Sequence, residues 1–362
     1  MELEIERVSS AGYRLPLDDV GDAGHGLLET EELITVEIEA GGLTGHGYAY
    51  TIGRGGRAIQ AVIDHDLTPL LMGQDAADLE HLWELMWQRM LYVGRGGVTA
   101  FAIAAVDIAL WDLRGLSEGR PLYRTLGAPH KVLPAYGSGV DLPKSLADLL
   151  AQTEGFLDRG FEGVKVKVGR DDPAEDEERV GAVRDLVGDQ VDLMIDANMA
   201  WDVDEAIERG RRLERHDPYW YEEPTVPEDV AGHVRMRREL TVPIAAGESL
   251  HSPREFERYV EADALDVVQV DPITCGGITA ALRAIRLAND AGLPVSSHYA
   301  DELSAHVLCA ADAPVYLEKH AFALDPYLVE PQVVSDGTVQ PTGTPGTGLR
   351  FDESALAPFR VA

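Results

Sequence analysis

Gly163-Val-Lys165-Val-Lys167-Val-Gly169 and Asp192-Leu-Met-Ile-Asp196-Ala-Asn198 are short apolar runs that carry charge at or near their ends, and the spacing of their successors decides the fold. The same form returns in Tyr219-Trp-Tyr-Glu222-Glu223-Pro224, Pro243-Ile-Ala-Ala-Gly-Glu248-Ser249 and Val267-Val-Gln-Val-Asp271-Pro272. Pro294-Val-Ser-Ser-His298 and Val315-Tyr-Leu-Glu318-Lys319 close the series. Glu222 follows Asp196 by 26 residues, Glu248 follows Glu222 by 26, and the steps onward to Asp271, His298 and Glu318 are 23, 27 and 20. Each step is about the length of a strand plus a crossover helix, so the runs predict parallel strands alternating with helices. With Val132-Leu-Pro-Ala-Tyr-Gly-Ser-Gly139 as the first strand, the units close into a (β/α)8 TIM barrel of the α/β class. In such a barrel the C-terminal strand ends face one mouth, where polar groups from several strands converge. A single acidic residue there reads equally well as a helix N-cap. A series in phase, with a lysine pair in mid-strand, does not.

Working outward, residues 1–50 alternate in the β manner. Leu3, Ile5 and Val8 are followed by a polar, glycine-rich stretch from Pro16 to Gly26, which reads as a loop, and then by Leu33-Ile-Thr-Val-Glu-Ile38. A Gly41-Gly42 turn and Gly45-His-Gly-Tyr-Ala-Tyr50 complete a three-stranded antiparallel meander. Apolar residues take helical spacing from Ala58 to Met90 and again from Val98 to Leu116. Strands followed by helices mark a separate α+β domain, expected over residues 1–128 with its boundary near Gly127-Ala-Pro129. The barrel is expected over 129–340 and a C-terminal segment over 341–362, the tail after Asp336 reading as an ordered surface loop.

The formal charge is −32, and only five of the basic residues are lysines, at 131, 144, 165, 167 and 319. Nucleic acid binding is excluded on that balance. Cys275 and Cys309 are too few for a disulfide framework and read as buried thiols. The start Met1-Glu-Leu-Glu-Ile-Glu-Arg7 lacks a basic and apolar leader, and no stretch approaches a membrane span, so a soluble cytoplasmic protein is expected.

Asp196, Glu222 and Glu248 at successive strand ends suit a hard divalent cation with oxygen ligands; the bland alternative is salt bridging to arginines. Glu223 points to the other side of its strand and reads as structural. Lys165 and Lys167 lie two apart, hence on one face, where mutual repulsion and a nearby cation predict lowered pKa values and a lysine free to act as a base. Lys165 alternatively only neutralises carboxylates. Asp271 and His298 end neighbouring strands, which allows the carboxylate to orient the imidazole as a base on the other side of the pocket. Glu318 is expected to be held protonated by burial, donating a hydrogen bond to developing oxyanion charge.

Lys165-Val-Lys167, Asp196-Ala-Asn198, Glu222-Glu223-Pro224, Gly247-Glu248, Asp271 with Gly276-Gly277-Ile-Thr279, Ser296-Ser297-His298 and Leu317-Glu318 together resemble the mandelate racemase group of the enolase superfamily. The likeness spans almost the whole chain. It implies a modified, enolase-like barrel, a capping domain whose loops close the mouth, and a C-terminal segment that packs back on the cap. It also implies one Mg2+ per subunit at Asp196, Glu222 and Glu248, and bases at Lys167 and His298 with Asp271 supporting the histidine. Ser138 and Asn198 match positions that contact substrate oxygens. Sibling groups with a lysine on the sixth strand are disfavoured by Asp271. The cap segments Pro16–Gly26, with His25, and Tyr48–Arg57, with Tyr50 and Arg54, are polar and glycine-rich, which suits a sugar acid better than an aryl acid. The expected activity is therefore a Mg2+-dependent acid sugar dehydratase in a homo-oligomer. Racemisation of an α-hydroxy acid and a non-catalytic sugar-acid-binding barrel are the alternatives.

Overall fold

A computed structural model describes residues 3–128 and 132–361; Pro129 of the expected boundary, and Lys131, lie outside the described residues. The N-terminal sheet is the antiparallel meander β1 (Ile5–Asp22), β2 (Gly26–Ala40) and β3 (Leu43–Thr51). The loop expected from Pro16 to Gly26 is absent as such. After a bulge between Pro16 and Val20 the ladder resumes as Val20–Leu28, Gly21–Leu27 and Asp22–Gly26, leaving only a tight turn at the tip. Polar side chains do not forbid a strand whose backbone is paired; the bulge, with Asp19 at φ 54°, absorbs the irregularity.

The helical region from Ala58 to Met90 is also not continuous. It runs as α1 (Gly56–Val62), a π turn at Ile63–Leu67 and α2 (Thr68–Leu71), then breaks before α3 (Leu79–Arg89). Next comes α4 (Val98–Glu118), whose alanine-rich face packs on β3. The approach is close: a Cβ at Gly45 or Gly47 would stand 2.2 Å or 2.1 Å from the carbonyl oxygens of Ala109 and Ala105. A short α5 (Leu122–Thr125) leads to the barrel.

Eight parallel strands follow: β4 (Leu133–Ser138), β5 (Gly163–Lys167), β6 (Asp192–Asp196), β7 (Trp220–Glu222), β8 (Ile244–Ala246), β9 (Val267–Val270), β10 (Val295–Ser297) and β11 (Leu317–His320). Between them run α6 (Leu146–Asp158), α7 (Pro173–Val187), α8 (Val203–Leu213), α9 (Val230–Glu239), α10 (Pro253–Glu261), α11 (Ile278–Ala291) and α12 (Asp301–Leu308). β11 returns to pair with β4, and Val315 N–H to Val295 O at 2.8 Å and Ser297 N–H to Tyr316 O at 3.2 Å link it to β10. The tail is not all loop: a hairpin of β12 (Val334–Ser335) and β13 (Thr338–Val339) adds to β4, and a short helix, α13 (Glu353–Leu356), runs into a 3-10 turn at Ala357–Phe359.

Strand alternation sorts the side chains. Val164, Val166, Leu193 and Ile195 join the core shared with the helices, while Tyr136, Met194, Trp220, Ala245, Val267 and Tyr316 form a separate plug inside the barrel. Lys165, Lys167 and Asp196 share the inward parity and stand above that plug. The C-terminal segment returns to the cap, with Thr347 N–H donating to Asp112 of α4 at 2.8 Å and Val361 N–H to Gly12 O of β1 at 2.9 Å. Among the described residues no helix is long and apolar enough to cross a membrane.

Candidate active site

Asp196, Glu222 and Glu248 offer carboxylate oxygens that lie within 4.8 Å of one another. Neighbouring strands in register place the first two, for Asp196 pairs directly with Glu222 across β6 and β7. Two ammonium groups serve this set. Lys165 Nζ lies 2.5 Å from Glu222, 2.8 Å from Glu318 and 3.2 Å from Asp196, and Lys167 Nζ lies 2.5 Å from Asp196. Glu248 Oε2 is buried and has no hydrogen-bond partner among the described residues, its nearest cation being His298 Nε2 at 3.4 Å. Converging, incompletely paired oxygens of this hardness fit a divalent cation such as Mg2+.

The lysines differ from the expectation of lowered pKa values. Burial would depress both, but the carboxylates reverse it: Glu222 and Glu318 raise Lys165, and Asp196 raises Lys167. The direction expected for Glu318 is reversed as well. Burial pushes its pKa up, yet Lys165 at 2.8 Å, with His320 and His298, holds it well below the usual carboxylate range. Its second oxygen accepts the Tyr299 N–H at 2.7 Å. Glu222 is driven upward by burial and by its neighbour Asp196, a measure of the negative charge crowded into the site.

On the other side of the mouth, His298 Nδ1 meets Asp271 Oδ2 at 2.9 Å, and Asp271 Oδ1 accepts the Ile273 N–H at 2.7 Å. With Nδ1–H donating to the carboxylate, Nε2 is the atom left for chemistry. Burial would lower the imidazole, but Glu248 and Asp271 carry it up to about 10. The backbone is strained just past three strand ends, with positive φ at Asn198, Met199, Glu223, Tyr299 and Ala300. Glu223 turns away from the cavity, taking the Ser249 hydroxyl at 2.9 Å and so bracing the residue after Glu248.

A cavity of about 1110 Å3 lies between cap and barrel, lined by Lys167, Asn198, Glu248 and His298 from the barrel and by His25, Tyr50 and Arg54 from the cap. His25 sits at the tip of the β1–β2 hairpin, its ring 3.1 Å from Asp22. Tyr50 is no open-loop residue: it belongs to β3, is 8 % exposed, and donates its hydroxyl to Asp271. Ser138 is not part of the lining; its hydroxyl is buried with no partner among the described residues. Asn198 donates its N–H to Asp196 at 2.9 Å, and its side-chain oxygen has no partner among the described residues. The wall is less polar than the cap sequence suggested, because Phe101, Ile52, Leu250 and Phe322 also face it. Sequence reasoning missed His320 and Tyr299, both lining residues. The period of two from Glu318 was a signal for His320; none marked Tyr299.

Residues 23–127 match the mandelate racemase / muconate lactonizing enzyme N-terminal domain, and residues 148–355 match the Enolase C-terminal domain-like family. A 3,6-anhydro-alpha-L-galactonate cycloisomerase of Streptomyces coelicolor is 42% identical over 359 residues, 99% of each chain. An L-talarate/galactarate dehydratase of Salmonella typhimurium is 35% identical over 326 residues, covering 89% of this chain and 81% of its own. The crystal structure of a racemase from Streptomyces coelicolor with bound magnesium superposes with a TM-score of 0.96 at 42% identity, over 99% of this chain and 100% of that one.

Proposed function

The chain belongs to the mandelate racemase / muconate lactonizing enzyme family of the enolase superfamily, and from that premise we propose that it removes the α-proton of a sugar acid carboxylate and expels the β-oxygen. The observation that carries this reading is the pair of proton carriers in one cavity: Lys167 beside Asp196, His298 beside Glu248 and backed by Asp271. Asp196, Glu222 and Glu248 would hold Mg2+, which when bound would supply positive charge against the negative charge that gathers on the substrate carboxylate. Lys167 Nζ, 2.5 Å from Asp196, stands on the cavity wall as the proton acceptor on one side of the bound acid. The α C–H bond breaks towards Lys167 or, where Nε2 of His298 starts unprotonated, towards His298, which is thereby charged, according to the configuration of the substrate. His298 Nε2, charged and oriented through Asp271, delivers a proton to the β-oxygen as its bond to carbon breaks. The resulting enol tautomerises to a 2-keto-3-deoxy acid.

When the leaving oxygen is a hydroxyl, water departs and the enzyme is a dehydratase. A second reading, in which that oxygen belongs to an anhydro ring and nothing departs, is supported by the 42% identical cycloisomerase and by the apolar part of the cavity wall. The test is a panel of hexonates, pentonates, aldarates and 3,6-anhydro acids with Mg2+, read by semicarbazide and mass. A keto product lighter by one water assigns the dehydratase, and one of unchanged mass the cycloisomerase. Inversion of an α-hydroxy acid, with no keto product from any substrate, would move the assignment to a racemase. Failure of every acid to exchange its α-proton with solvent deuterium would leave a binding protein.

A further inference from the structure

β3 carries Tyr48-Ala49-Tyr50, and alternation turns both tyrosines to the same face. That face meets the barrel: Tyr48 donates to Glu302 at the start of α12, and Tyr50 donates to Asp271 Oδ2 at 2.9 Å. The oxygen that Tyr50 bonds is the one that bonds His298 Nδ1, and the Tyr50 hydroxyl itself stands 3.4 Å from that nitrogen. The Tyr50 ring packs on Tyr299 with centroids 4.4 Å apart. Tyr299 directly follows His298 and is held at both ends, by its N–H on Glu318 at 2.7 Å and by its hydroxyl on Glu31 of β2 at 2.8 Å. Thus the cap grips the His298 strand end through Tyr50 and Glu31.

We propose that Tyr50 is a positioning residue, through which the docked cap holds Asp271 and thereby the His298 ring in the orientation that proton delivery needs. Burial, with Asp271 beside it, raises the Tyr50 hydroxyl well above its ordinary range, so it remains a donor. A donor fixed on Asp271 Oδ2 restricts that carboxylate, whose other side-chain partners among the described residues, apart from His298 itself, are the Ile273 and Thr274 N–H groups, both on Oδ1. The consequence is that His298 is correctly set only while β3 is seated on the barrel. This inference rests on His298 being a proton carrier in the proposed reaction.

The test uses Tyr50→Phe, which removes one oxygen and keeps the ring packed on Tyr299. In the Mg2+-loaded enzyme kcat is expected to fall by about tenfold or more, with KM within about twofold. Mg2+ affinity is expected to be unchanged. In a double-mutant cycle, Tyr50→Phe should add little to the loss in Asp271→Asn, because it acts only through that carboxylate. In 15N-histidine-labelled protein, the His298 Nδ1–H signal, assigned by its disappearance in His298→Asn, should be sharp in the native enzyme and exchange-broadened in Tyr50→Phe. Multiplying losses in the cycle, or a His298 signal untouched by Tyr50→Phe, would overturn the proposal. The spectroscopic arm needs no turnover, so it separates failure of this inference from failure of the proposed reaction.

Discussion

At the scale of single residues, the site is dominated by how many carboxylates each ammonium must serve. Lys165 is 1 % exposed and faces Glu222, Glu318 and Asp196 together. Removing one partner of a buried ion cluster strands the others, typically at about 3–5 kcal/mol. Lys165→Met is therefore expected to lower stability by about that amount in urea titrations without Mg2+, and by clearly less with saturating Mg2+. Equal deficits under the two conditions would show that charge crowding is not what Lys165 relieves. That Lys165 and Lys167 share a face was legible from their spacing. Their raised pKa values were not, since that direction depends on oxygens brought from other strands.

At the scale of elements, two of the contacts that join cap, barrel and tail can be tested singly. His306 of α12 accepts the Tyr123 N–H of α5 on Nδ1 at 3.1 Å and donates from Nε2 to Thr347 O at 3.1 Å. Burial pushes its pKa from 6.5 down to about 4, so the folded chain takes up this proton less readily than the unfolded chain. The stability it contributes is present above about pH 6.5 and is lost as the pH falls towards 4, on the order of 3 kcal/mol in all. Asp107, pushed up to about 7 by burial, acts in the opposite sense on acidification, and so does Glu31. Comparison with His306→Gln isolates the histidine: the variant should lose less stability than the native chain across that window. The other contact is the hairpin tip, where a Cβ on Gly24 would stand 2.0 Å from Asn198 O. Gly24→Val is expected to displace the tip from the mouth and raise KM by about tenfold while leaving Mg2+ affinity unchanged. An unaltered KM would detach the hairpin from substrate binding.

Over the whole molecule the net charge of −32 acts on every part of the surface. Repulsion among exposed carboxylates extends about 30 Å at 0.01 M salt and about 3 Å at 1 M. The melting temperature is accordingly expected to climb with NaCl across that range in the presence of chelator. Mg2+ should add a further rise that saturates with the site, reversed by chelation. A salt-independent melting temperature would mean that the surface charges are already compensated locally, as the Arg237 pairs with Asp263 and Asp266 are.

The periodic strand ends by themselves pointed to the barrel, the order of its strands and the carboxylates gathered at its mouth, because period-two alternation and a repeating βα length are local properties of the chain. Asp196, Glu222 and Glu248 belong to that class. What only the tertiary structure decided are the quantities that sum over distant segments. The Glu318 pKa is lowered because Lys165 comes to it across the barrel, and the Pro16–Gly26 stretch is strand because β2 is there to pair with it. Tyr50 reaches a carboxylate 221 residues away. Charge state, ladder pairing and cap contacts depend on which groups become neighbours in space, and no window of sequence contains both partners.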